Sequence, residues 1–358
     1  MGDSQGGDSV VVLIPAIAAD ASADEQDALV QAEAVSGALV ELGYRPVTLG
    51  VSLDLADVRR RLQAAQPSFV FNLVESLAGQ GRLIHVVPAL LDALGIAYTG
   101  CSAEAQFLSS NKLLAKRVMR SAGMPTPPWI EPGAAITVDP GAGPWIVKSV
   151  WEHASIGIDA SAIVADAAAM DAAIAARVSR YGGDWFAEAY IDGREFNLAL
   201  LAGRDGPMVL PPAEMHFVNF PAGKPRIVDY AAKWHPASFE FNNTVRGFDF
   251  PAGDTALLAR ISDLARACWH RFELTGYARV DFRIDGTGKP WVLEVNANPC
   301  ISPDAGFTAA AARAGLSFAE VVKRICADRR GRRRPLTAGA EGPICSTPMA
   351  THPPTARN

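Results

Sequence analysis

Two carboxylates and an amide carbonyl that alternate onto one face of a hairpin can hold a divalent cation, and one stretch of this sequence has that pattern. The runs Gly276-Tyr-Ala-Arg-Val-Asp-Phe-Arg-Ile284 and Pro290-Trp-Val-Leu-Glu-Val-Asn296 alternate apolar and polar residues on either side of Asp285-Gly-Thr-Gly-Lys289, a strong hairpin signal. Alternation puts Arg279 and Asp281 on one face, and Glu294 and Asn296 on one face. Folding about Thr287 brings Asp281 roughly opposite Glu294, so these faces coincide. Opposed carboxylates repel, and burying them without a counter-charge is costly; a divalent ion removes both objections. Hard oxygen donors suit Mg²⁺, with Mn²⁺ as an alternative, and Mg²⁺ takes few protein ligands and completes its shell with phosphate and water. Arg279 on the same face can hold an anion or a developing negative charge. The plainer alternative is the solvated side of an amphipathic hairpin, but the crowding of like charges weighs against it. The turn Ala297-Asn-Pro-Cys-Ile-Ser-Pro-Asp304 leaves Asn298 at the mouth of the hairpin, near the expected metal.

The rest of the chain must position this hairpin. Its 358 residues are too many for one ordinary core and suggest two or three domains. With 49% hydrophobic and 20% charged residues and a net charge of −5, the balance is that of a soluble protein with no global attraction to nucleic acid. Five scattered cysteines without metal spacing read as reduced thiols in a cytoplasmic protein. The apolar run at 10–17 is too short for a signal or a span, and Gly6 stands where myristoylation needs Ser or Thr.

Strand signals at 10–14, 45–49 and 68–73 alternate with helix signals at 22–42, 54–65 and 83–94, which predicts a parallel, Rossmann-like sheet. No G-x-G-x-x-G follows its first strand, so a dinucleotide site is not expected there. Residues 95–100 return as a short strand, and 111–122 form a helix stopped by Gly123 and Pro125-Thr-Pro-Pro128; that stop and the Pro/Gly-rich stretch 132–144 mark a domain junction. A small unit follows, with a strand at 145–150 and an alanine-rich helix at 165–181. Strands at 185–190 and 195–201 open a third, mainly antiparallel region closed by helices at 254–272 and 318–327. The expected fold class is α/β with three domains: a Rossmann-like domain at 1–110, a small α+β lid at 111–185 and a catalytic α+β domain at 186–327. A tail at 328–358, with its arginine run, is expected to be disordered.

Several landmarks surround the hairpin in a fixed order: Phe71-Asn-Leu, Leu94-Gly-Ile-Ala-Tyr-Thr-Gly100, Asn111-Lys112, Gly123-Met-Pro-Thr-Pro127, Ile146-Val-Lys148, Glu188-Ala-Tyr-Ile-Asp-Gly-Arg-Glu195, Asp229-Tyr-Ala-Ala-Lys233, Ala278-Arg-Val-Asp281 and Leu293-Glu-Val-Asn296. Each is weak alone, but in this order residues 68–326 resemble the ATP-grasp superfamily, in its D-alanine–D-alanine ligase branch. The resemblance implies an ATP-dependent carboxylate–amine ligase working through an acyl phosphate, and a homodimer formed through the N-terminal domain. It assigns Lys112, Lys148, Ser155 and Lys233 to the ATP phosphates, Glu188 with the backbone through Ile191 to the adenine hinge, and Glu195 to the ribose. Arg279 takes the arginine that stabilises the tetrahedral intermediate, and Asp281, Glu294 and Asn296 take the magnesium ligands. From the residues alone, Lys148 also reads as an edge or snorkelling lysine, and Glu195 with Asn197 as a solvated strand face.

The departures from the family pattern fall on the substrate side. Pro15-Ala-Ile-Ala-Ala19 and an acidic helix start replace the glycines and glutamate that grip the first substrate's amine; Ala154, Trp234 and Ala305 stand where the family has serine, tyrosine and serine. His153 replaces a glycine in the lid loop and reads either as a substrate contact or as a tolerated loop residue. The pattern favours a ligase for small amino-acid-like carboxylate and amine substrates, with Trp234 walling the carboxylate pocket. D-Alanine–D-alanine ligase proper and a non-catalytic nucleotide-binding regulator are the alternatives; Arg279 argues against the second.

Overall fold

The computed structural model describes residues 7–18, 20–131 and 143–329. The unbroken apolar run near the start forms β1 (Ser9–Pro15), buried along nearly its whole length. It lies between β2 (Arg45–Val51) and β3 (Phe69–Asn72), parallel to both, the place for a strand apolar on both faces. Between them run α1 (Ala23–Glu41) and α2 (Leu55–Ala65). The start of α1 is set by a capping box, in which Glu25 Oε2 accepts the Ser22 N–H at 3.0 Å. After α3 (Val86–Leu94), residues 95–100 return to the sheet only through one parallel bridge, Val70 to Tyr98, and form no strand of their own.

Two helices follow, α4 (Ala103–Ser110) and α5 (Lys112–Ser121). The first was not expected from the sequence, because it buries Gln106, Ser109 and Ser110 and so lacks an apolar stripe. The small sheet has the order β4-β7-β5-β6, made by β4 (Trp129–Ile130), β5 (Trp145–Ser149), β6 (Ile163–Val164) and β7 (Trp185–Ala189). Helix α6 (Ala167–Tyr181) packs Met170 and Ile174 against Trp145, Val147 and Trp185 of this sheet. Since β7 is bonded between β4 and β5, it belongs to the small sheet, and the boundary expected at 185/186 cuts it. The expected Pro/Gly-rich junction lies mostly outside the described residues, as does the expected disordered tail beyond Arg329.

The third sheet is antiparallel, with the order β11-β10-β8-β12-β13 and β9 paired to β8. Its strands are β8 (Arg194–Leu201), β9 (Met208–Val209), β10 (Ala213–Phe217), β11 (Thr244–Gly247), β12 (Tyr277–Ile284) and β13 (Pro290–Asn296). The short helices α7 (Tyr230–Trp234) and α8 (Phe239–Asn243) bridge β10 to β11. On one face, α9 (Thr255–Arg271) buries Ile261, Ala265 and Cys268 against Leu198, Val280 and Phe282. On the other, α10 (Gly306–Arg313) and α11 (Phe318–Ala327) bury Phe307 and Val322 in a core shared with Val35, Leu39 and Phe71 of the first region. That shared core brings the carboxylate hairpin against the first sheet's loops. No disulfide joins the described cysteines, and no described helix is long and apolar enough to cross a membrane.

Candidate active site

The hairpin sets Asp281 opposite Glu294 and Arg279 opposite Asn296. Its register shifts between Asp281 and Phe282, which faces Val292, so Leu293 is an extra residue in a bulge. A plain fold about Thr287 would oppose Asp281 to Leu293; the bulge brings Glu294 there instead. The polar face is largely buried: Asp281 is 5% exposed and Asn296 8%, with Arg279 and Glu294 half-buried. Arg279 donates from Nε and a terminal nitrogen to the two Asp281 oxygens at 2.8 Å each, Asn197 of β8 donates at 2.9 Å, and Asn296 at 3.2 Å. Glu294 lies 4.0 Å from both Lys112 Nζ and Arg279.

Burial pushes the Asp281 carboxyl up, and the charge of Glu294 keeps it raised against the pull of Arg279. Burial acts upward on Glu294 too, but Lys112, His153, Arg279 and Lys233 outweigh it and hold that carboxyl well below its usual range. Among the described residues no cluster of three or more His, Cys, Asp or Glu side chains stands ready for a metal. A cation on this face therefore meets two carboxylates and one amide, the sparse oxygen set that Mg²⁺ accepts when phosphate oxygens fill its shell.

Every residue singled out in the sequence for this site lines one cavity of about 860 Å³, the hairpin residues together with Lys112, Lys148, His153, Ser155, Glu188, Ile191, Glu195, Lys233, Trp234 and Asn298. Lys112 opens α5, whose N-cap Asn111 accepts the Leu114 N–H at 2.9 Å, and its Nζ donates to Glu152 O at 2.6 Å. Lys148 sits on β5, beyond the two residues that pair with β6, and its Nζ contacts Glu188. Lys116, one turn beyond Lys112, pairs with the same Glu188 at 2.7 Å. The sequence reading missed it, although its spacing from Lys112 on one helix face was a signal. Burial pushes Glu188 up, but the two lysines prevail and lower it. Burial lowers Lys112, Lys116 and Lys233.

Glu195 is 9% exposed and paired with Arg283 at 2.8 Å, which replaces the solvated-face alternative by a buried ion pair. Arg283 also donates to Gly193 O at 3.0 Å. Gly193 has φ 153°, and a Cβ there would meet Ile284 O at 1.9 Å, so only glycine lets the loop carrying Ile191 lie against β12. In the lid loop Ala154 and Ser155 take left-handed φ values of 58° and 62°. Trp234 Nε1 donates to Ala154 O at 3.2 Å and Ser155 Oγ to Val228 O at 2.8 Å, so the loop is tied to α7 and the chain before it. Both ends of the Asn298 amide are engaged, with Tyr277 OH donating to Oδ1 at 2.6 Å and Nδ2 donating to Val74 O at 3.1 Å. Asn298 thus braces the turn while lining the cavity.

Beside Trp234, the substrate side carries acidic residues. Asp24, Asp27 and Glu75 line the cavity from the first region. Tyr230 OH donates to Asp24 at 2.9 Å, Gln31 Nε2 bridges Asp27 and Glu75 at 3.2 and 3.1 Å, and Ser302 Oγ donates to Asp27 at 2.6 Å. Burial first, then the charges of Asp27 and Asp24, push Glu75 up to about 7. Glu152 instead accepts the Gly81 N–H at 3.1 Å.

The family model described as D-ala D-ala ligase C-terminus matches residues 138–327. An uncharacterized protein of Sinorhizobium fredii, y4sG, is 32% identical over 82% of this chain and 85% of its own length. A D-alanine–D-alanine ligase of Moorella thermoacetica is 30% identical over 85% of this chain and 94% of its own. The crystal structure of a D-alanine–D-alanine ligase from Bacillus anthracis complexed with ATP shares the fold, with a TM-score of 0.69 at 20% identity over 90% of this chain and 97% of that one. The chain therefore belongs to the D-alanine–D-alanine ligase family of the ATP-grasp superfamily.

Proposed function

We propose that this protein is an ATP-dependent ligase that phosphorylates a carboxylate and joins it to an amine, forming an amide, ADP and phosphate. The observation that carries the reading is the convergence of Asp281, Glu294 and Arg279 with Lys112, Lys148 and Lys233 on one cavity. Lys112, Lys148 and Lys233 neutralise the triphosphate with Ser155, Glu188 and the backbone at Ile191 hold the adenine, and Glu195 holds the ribose. Asp281, Glu294 and Asn296 would hold Mg²⁺, which supplies charge neutralisation for the triphosphate.

The substrate carboxylate attacks the γ-phosphorus and releases ADP; the amine then attacks the acyl carbon, and phosphate leaves as the nitrogen loses its proton. Arg279 compensates the oxyanion of the tetrahedral intermediate. The lid loop, held by Trp234 and Val228, keeps water from the acyl phosphate. Asp24, Asp27 and Glu75 receive the ammonium group of an amino-acid-like substrate, and Trp234 favours one with a larger apolar part than a methyl group.

Domain limits that go with this reading are 1–110, 111–189 and 190–327, the second moved to keep β7 in the small sheet. A homodimer through the first domain is proposed as well, and light scattering tests it. ADP release, screened over amino acids and small carboxylates with and without Mg²⁺, tests the activity. Nucleotide binding without turnover on any pair would favour the regulatory alternative.

A further inference from the structure

His153 lines the cavity on a loop fixed from both sides. Before it, Trp151 packs beside Phe107 and under Arg82, and Glu152 is bonded through its carbonyl to Lys112 and through its carboxylate to Gly81. After it, Ala154 O accepts from Trp234 and Ser155 donates to Val228. Gly81 makes the first contact possible, because a Cβ there would lie 2.9 Å from Trp151 O. The imidazole itself is left without protein partners: both ring nitrogens are buried, and neither has a hydrogen bond among the described residues. Such orphans are rare in native interiors, and an anchored loop does not make one by accident.

The charges that act most on the ring are those of Lys112, Glu294, Arg279 and Lys233. Burial acts first and the three cations among them act in the same direction, so the ring stands as neutral imidazole, pushed down to about 4. A neutral ring carries one N–H donor. Of these groups Lys112 and Lys233 are assigned above to the triphosphate, Glu294 to its cation and Arg279 to the oxyanion of the following step, so an oxyanion enters where this donor lacks an acceptor.

On the proposed reading of the site, we infer that His153 is a catalytic residue that donates a hydrogen bond to a non-bridging oxygen of the γ-phosphoryl group during its transfer. Lys112, Lys148 and Lys233 already attract the phosphates, and the imidazole adds a directed contact without adding another cation. A glycine at this position would leave the oxygen to backbone N–H groups or water.

The test compares binding of Mg-AMP-PNP and Mg-ADP by calorimetry in the full-length protein and in H153L, H153N and H153Q, with circular dichroism to check folding. H153L is expected to lose about tenfold in affinity for Mg-AMP-PNP, equivalent to about 1.4 kcal/mol, while binding Mg-ADP like the parent. One of the amides, H153N if Nδ1 is the donor or H153Q if Nε2 is, should recover most of the loss. Equal losses for both nucleotides, no loss for either, or a change only in the KM for the carboxylate substrate would overturn the assignment. If the parent protein binds neither nucleotide with Mg²⁺, the ligase reading fails before His153 is in question.

Discussion

Replacing Glu75 by glutamine should make the protein more stable at pH 8 while changing little at pH 4. In the folded chain this carboxyl is pushed from 4.5 up to about 7, mainly by burial and further by Asp27 and Asp24. Below about pH 4.5 it is protonated both folded and unfolded, so it contributes no pH dependence. Between 4.5 and 7 the unfolded chain releases the proton while the folded chain keeps it, so stability falls as pH rises. The difference of about 2.5 pH units corresponds to a loss of about 3 kcal/mol by pH 8. Glutamine cannot ionise, and it can still accept from Gln31, which now donates to Glu75 at 3.1 Å. The variant should therefore gain on the parent by about 2 to 3 kcal/mol between pH 4 and pH 8 in urea unfolding. A cationic amine bound beside Glu75 should shrink that gain by favouring the ionised carboxylate. An offset between parent and variant that stays constant from pH 4 to pH 8 would refute the burial argument, and with it the picture of an unpaired acid awaiting a cation.

Three further outcomes follow from the site. Glu294→Gln should lower Mg²⁺-dependent ADP formation by about a hundredfold or more, the scale for losing one preorganised charge contact, with an unchanged circular dichroism spectrum; turnover at the parent rate would remove Glu294 from the metal set. With D-alanine as sole substrate, the dipeptide should form slowly or not at all, because Ala154 and Trp234 reshape the pocket; rapid formation at low millimolar D-alanine would show that the family's usual substrate fits. Removing residues 330–358 should leave the rate of ADP release unchanged, since α11 is buried through Cys326 and Asp328 accepts the Gly276 N–H at 2.7 Å; a large loss would place that segment at the active site.

Local pattern was enough for much of this molecule. The apolar run of β1, the capping residues Ser22 and Asn111, and the alternation of β12 and β13 are dictated by neighbours in sequence, and each element formed where the pattern put it. The shared polar face of the hairpin was legible for the same reason, because period-two alternation assigns faces before any folding. The bulge at Leu293 was not, since a single extra residue leaves no mark in composition yet decides which side chain meets Asp281. Helix α4 also escaped, because its buried face is polar and is justified only by what packs on it.

The substrate wall shows the deeper limit. In the sequence Glu75 stands with Glu152 as a loop residue able to supply the missing anion of the substrate grip, whereas nothing in the pattern singles out Asp24 or Asp27. Asp24, Asp27 and Glu75 share a cavity only because α10 and α11 pack against α1 and carry the turn with Ser302 onto Asp27. Lys116 and Arg283 likewise became functional neighbours through partners far along the chain, Glu188 and Glu195. Sequence alone determined the residues that recur with a period and the family motifs they spell. The tertiary structure alone decided which charges face one another, because burial and electrostatic coupling depend on distance in space rather than on separation along the chain.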